Sequence, residues 1–96
     1  MRITISEAAE QDLISAYWFY ERQSAGLGDC FVDSILADIR SLHLYAGIHA
    51  QHFGYHRLLC RRFPFAAYYR VESDLIRVYA VLDCRRDPAW IRDRLT

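Results

Sequence analysis

Apolar residues recur along the first half of the chain at helical spacing. Ala9, Leu13, Tyr17 and Tyr20 form one stripe, with Ile14 and Trp18 beside it, which predicts a helix over Glu7–Gln23. Ser6 is placed to cap it, and Glu7 and Glu10 suit the positive end of its dipole. Ser24-Ala25-Gly26 is the stop. Leu27, Phe31, Ile35, Ile39 and Leu42 repeat the pattern and predict a second helix over Leu27–Tyr45. So short a link makes the two helices an antiparallel hairpin.

Elsewhere the period drops to two. Arg2–Ile5 reads as a short opening strand. Ile48–Gly54 reads as a loop, followed by strands over Tyr55–Arg61, Phe63–Val71 and Leu75–Leu82. In the last of these, alternation puts Ile76, Val78, Ala80 and Leu82 on one face. Links of a few residues imply an antiparallel meander. Asp87-Pro88 caps and opens a short helix, Pro88–Leu95. The expected fold is α+β: an N-terminal strand, a two-helix hairpin, a three-stranded antiparallel meander and a short C-terminal helix. The helices should cover one face of the sheet, with the first strand at an edge or beside the last strand.

With 96 residues, 53% hydrophobic and 15% aromatic, the chain has material for one packed domain spanning residues 1–96. It has no apolar run long enough to span a membrane and no signal-peptide pattern, so the expected location is the cytoplasm, with no membrane partner. Cys30, Cys60 and Cys84 are odd in number and far apart, as expected of reduced thiols. His49, His52 and His56 have a spacing loosely like a metal site. No cysteine or carboxylate lies near enough in sequence to complete it, so neither metal nor cofactor is expected.

Charge changes the picture more. The net charge is zero, yet residues 1–50 hold three arginines against seven acids, and residues 51–96 hold nine arginines against five acids. All twelve basic residues are arginine, a planar fork suited to carboxylate or phosphate. The basic half points to an anionic partner, either nucleic acid or an acidic peptide.

Three segments carry a family resemblance. Ile3-Thr4-Ile5-Ser6-Glu7-Ala8-Ala9-Glu10 is a strand running into an acidic, alanine-containing helix. Phe63-Pro64-Phe65-Ala66-Ala67-Tyr68-Tyr69-Arg70-Val71 is a central strand with paired tyrosines. Ile76-Arg77-Val78-Tyr79-Ala80-Val81-Leu82 leads to Arg85-Arg86-Asp87-Pro88 and Arg92. Their order and spacing resemble the RelE/ParE toxin family over essentially the whole chain. The resemblance implies a toxin of a bacterial type II toxin–antitoxin module, associated with plasmid stabilization, that forms a hetero-oligomer with its cognate antitoxin. Free toxin of this family stops growth by one of two routes: inhibition of DNA gyrase in the ParE branch, or ribosome-dependent mRNA cleavage in the RelE branch.

Metal-free RNA cleavage needs a base, an acid and cations around the phosphate. Relative to the nuclease branch, a central-strand arginine falls on Ala66. Trp90 and Ile91 stand where a tyrosine or histidine would work, and Asp83-Cys84 replaces a histidine and a glycine. Only Arg85 keeps a phosphate-holding position. The departures favour the ParE branch. The alternatives are a RelE-like endoribonuclease drawing on Arg85, Arg62, His56 and Tyr69, and a degenerate homologue that only binds antitoxin. Trp18 and Phe19 on the first helix, with strand arginines Arg57, Arg61, Arg70 and Arg77, are the candidates for antitoxin binding. Arg85, Arg86, Arg92 and Arg94 are the candidates for target contact.

Overall fold

A computed structural model describes residues 1–96. Strand β1 (Arg2–Ile5) runs into helix α1 (Glu7–Glu21), followed by α2 (Leu27–Arg40) and a one-turn helix α3 (Leu42–Tyr45). Strands β2 (Gln51–His52), β3 (Tyr55–Leu59), β4 (Phe65–Glu72) and β5 (Leu75–Asp83) follow, and α4 (Pro88–Leu95) closes the chain. The five strands form one sheet in the order β1-β5-β4-β3-β2. The last four make an antiparallel meander, while β1 lies parallel to β5, pairing Ile3 with Ile76 and Ile5 with Val78.

The boundaries of α1 and α2 follow local chemistry. The Ser6 hydroxyl accepts the Ala9 amide at 3.1 Å, so α1 starts with its cap in place. The helix ends at Glu21, short of the predicted Gln23, and the Glu21 carboxylate then reaches forward. It accepts the amides of Gly26 and Gly28 at 3.0–3.1 Å, capping α2, whose own N-cap Gly26 has no side chain and a φ of 89°. The predicted second helix is broken at Ser41, whose hydroxyl donates back to the Asp38 carbonyl at 2.6 Å and loosens the ladder. Ile48–Gly54, predicted as a loop, holds the two-residue strand β2. β3 stops at Leu59, so Arg61 lies in the following bend, and β4 starts at Phe65, after Pro64.

One correction concerns the faces of β5. The register jumps from Tyr68↔Ala80 to Tyr69↔Val78, a bulge that leaves Tyr79 opposite no residue. Ile76, Val78 and Val81 therefore point to the helices, whereas Ala80 and Leu82 point away. Simple alternation had placed Ile76, Val78, Ala80 and Leu82 together, because a bulge changes the period of two in a way that only the paired strand reveals.

The sheet is covered on both sides, not one. α1 and α2 bury Ala9, Leu13, Tyr20, Phe31, Ile35 and Ile39 against Phe65, Ala67, Tyr69, Ile76, Val78 and Val81. Phe31 sits at the centre, with ring centroids of Tyr20, Phe63 and Phe65 at 4.9–5.1 Å. α4 packs on the opposite face, where Ile91 and Leu95 meet Ala66, Tyr68, Ala80 and Leu82. Its eight residues cover only one end of that face.

Candidate functional site

The aromatic side chains of α1 diverge. Buried Leu13, Ala16 and Tyr20 define its inward side, so Trp18 and Phe19, 51% and 48% exposed, fall on opposite flanks. Trp18 lies edge-on to Tyr17 (centroids 5.0 Å apart) in an apolar groove toward α2, lined by Leu13, Ile14 and Val32. Phe19 lies in a different groove, between α1 and α4, with Phe65, Val81 and Trp90 on its walls. The floor of that groove is the end of β5, which has no strand neighbour beyond Val78 on the β1 side. There the Val81 amide donates to Asp12, which also takes a charge-assisted hydrogen bond from Arg94. Burial raises the Asp12 pKa, and these two donors only partly offset it.

The four strand arginines do not join Trp18. Arg57, Arg70 and Arg77 stand on the sheet face away from α1 and α2. Arg70 lies 4.0 Å from the Tyr55 ring centroid and 5.6 Å from that of Tyr79, and its Nε donates to the Gly54 carbonyl. Glu72 accepts from the Tyr79 hydroxyl at 2.8 Å and from Arg77 at 3.0 Å, and both bonds hold its pKa below the usual carboxylate value. Arg61 sits apart, its backbone amide and Nε both donating to the buried Asp38. The proposed antitoxin set is thus spread over two sides of the sheet, and a single partner segment would have to pass round an edge to touch all of it.

Most arginines of the C-terminal group are already engaged. Arg85 forms a two-pronged pair with Asp83, at 3.0 and 2.8 Å, which lowers the Asp83 pKa. Arg92 pairs with Asp93 at 3.3 Å, and Arg94 with Asp12. Arg86 has no carboxylate partner and stacks over Trp90, 3.8 Å from the ring centroid.

Of the nuclease candidates only His56 and Tyr69 are brought together, and Arg62 and Arg85 lie elsewhere. Tyr69 is fully buried on the helix side, where its hydroxyl accepts the Gly47 amide at 2.9 Å and bonds His49 Nδ1. His56 stacks on the Tyr69 ring, centroids 5.1 Å apart, and its Nδ1 donates to the His49 carbonyl at 2.7 Å. The two histidines thus pin the β2 segment to the sheet. Arg85 lies just past Asp83, which pairs with Phe65, four residues along β4 from Tyr69 or roughly 13 Å away. Arg62 lines a separate groove against α2, beside Asp33 and Asp38. Two of the thiols are poor nucleophiles: burial pushes Cys60 up to about 12 and also raises Cys84.

The sequence did not disclose the open end of β5, or that α1 has two apolar flanks. Both depend on where β1 stops and on which side α4 docks. The period of α1 marks its inward stripe but cannot tell what lies beside each flank.

A solved structure described as the chromosomal ParDE TA system from P. aeruginosa superposes with a TM-score of 0.74 at 24% identity, over 84% of this chain and 92% of that one. At that identity the likeness speaks for the fold. Residues 3–88 match the family described as the ParE toxin of the type II toxin–antitoxin system, parDE, and the chain belongs to that family. No curated protein sequence matches it. No helix is long and apolar enough to cross a membrane.

Proposed function

We propose that this chain is a growth-inhibiting toxin that acts in the cytoplasm on DNA gyrase, by binding rather than by cleaving RNA, and that a cognate antitoxin neutralises it. The observation that supports this reading is the separation of Arg85 from His56 and Tyr69. A metal-free nuclease needs its base, acid and phosphate-holding cations around one bond. Here the histidine and tyrosine are committed to holding the β2 segment, and Arg85 is committed to Asp83. For the antitoxin, the apolar Trp18 groove between α1 and α2 suits an amphipathic helical segment.

Inducible expression of the chain alone in bacteria tests the target. Growth arrest with DNA-damage signalling and intact messages is the expected result, followed by loss of gyrase supercoiling in vitro. Early cleavage of translated messages would overturn it in favour of the RelE-like route, and no arrest at all would favour a homologue that only binds antitoxin. Trp18→Glu should leave the fold intact, because that side chain is half exposed, and should weaken antitoxin binding by about tenfold or more. Unchanged affinity would move the antitoxin to another surface.

A further inference from the structure

The sheet face away from α1 and α2 carries a cavity that the proposed gyrase and antitoxin reading does not draw on, although Arg57 and Arg86 line it. It measures about 200 Å³ and is enclosed by the β2–β3 turn, β3, β4 and the start of α4. Arg57 comes from β3 and Arg86 from the segment before α4, while Tyr68, Cys84 and Ile91 line the interior and Phe53 the rim. No carboxylate lines it, and neither arginine forms an ion pair, although five other arginines of the chain do. Arg57 is half-buried, and a half-buried guanidinium without a counter-charge costs free energy that an anion would recover. Its charge reaches the interior: burial pushes the pKa of both Tyr68 and Cys84 up, and Arg57 draws each partly back down. Arg86 lines both this cavity and the neighbouring groove between α1 and α4, where its guanidinium stacks on Trp90, so an anion here would draw on an exposed arginine that can turn to either side.

We propose that this cavity binds the phosphate of an organic phosphate of the nucleoside monophosphate class, with the phosphate between Arg57 and Arg86 and the organic part against Phe53. The chemistry follows from the lining. Two planar forks match phosphate oxygens, the Tyr68 hydroxyl supplies a further donor, and 200 Å³ holds the charged end while leaving a larger group at the rim beside an exposed aromatic ring. The site binds only, and no bond is made or broken in it.

Calorimetric titration of the purified full chain with AMP, inorganic phosphate and adenosine tests the assignment. AMP should bind saturably, inorganic phosphate should compete with it, and adenosine should not bind. Arg57→Gln and Arg86→Gln should each weaken AMP roughly tenfold or more, the loss expected for one charged hydrogen-bonding group. Arg40→Gln, exposed on α2, should change nothing. Adenosine binding as tightly as AMP, no saturable AMP binding, or unchanged affinity in both cavity variants would each overturn the site. If Arg57→Gln fails to fold, AMP-induced amide shifts in the unaltered chain decide. Shifts centred on Cys84 and Ile91 support the cavity, and shifts confined to the helix hairpin refute it.

Discussion

The two faces of the sheet are covered by different means. Under α1 and α2 the contact is aromatic and aliphatic throughout, with Phe31, Tyr20, Phe63 and Phe65 interlocked and Ile35, Ile76 and Val78 around them. On the far face the sheet presents small residues, Ala66 and Ala80, where α4 docks, and arginines with tyrosines beyond it. The first face holds the protein together, and the second leaves charged groups free to meet something else. The aromatic core and the exposed arginines and tyrosines thus occupy opposite sides of one sheet, so either can change with little cost to the other.

The largest effect should come from the first face. Phe31→Ala removes the ring at the centre of four aromatics and should cost about 3–5 kcal/mol, read as a lower midpoint in urea unfolding followed by both far-UV and aromatic signals. Ile91→Ala on the second face should cost about 2 kcal/mol and act locally. Hydrogen exchange should speed up in α4 while α1 and α2 stay protected. Equal loss of protection everywhere would mean that the two faces are one cooperative unit, and the contrast would fail.

Gly28→Ala sharpens the contrast within the helix layer. An added Cβ would lie 2.7 Å from the Tyr17 ring carbons and 2.8 Å from the Tyr17 carbonyl, so the helices must part. Overpacking of this kind costs roughly 1–3 kcal/mol, of which the better helix propensity of alanine returns at most about 1. A lower thermal midpoint is expected, and a raised one would show that the α1–α2 contact yields freely.

The smallest effect concerns pH. Burial, with His56 close by, holds the His49 pKa below its ordinary 6.5. Between that lowered value and 6.5 the unfolded chain binds more protons than the folded one. Stability should therefore fall as pH drops through this window and be fully present above it. Denaturant midpoints measured from pH 7.5 downward should show a shallow decline that His49→Asn removes. A decline of the same slope in that variant would assign it to another group.

Much of this division was legible in the residues. The stripe Leu27, Phe31, Ile35, Ile39 named the inward side of α2, and Asp87-Pro88 placed the start of α4. Features that depend on a distant partner were not legible. The bulge at Tyr79 exists only relative to Tyr68 and Tyr69, and it sends Ala80 and Leu82 to the far face, which in turn gives α4 something to cover. Arg57 and Arg86 stand far apart in the chain and line one cavity only because β3 and the segment before α4 share that face. Trp18 and Phe19 are neighbours in sequence yet serve separate grooves, because a helix turns about 100° per residue.

The pairing of β1 with β5 also sets a clock on synthesis. Ile3 finds its strand partner in Ile76, which is made only after both helices and the other strands of the meander. The face of α1 likewise waits for Val78 and Val81. Contacts so distant along the chain close late and slowly. A nascent chain on the ribosome therefore has its helix hairpin before its sheet, and β1 stays unpaired until β5 has been made.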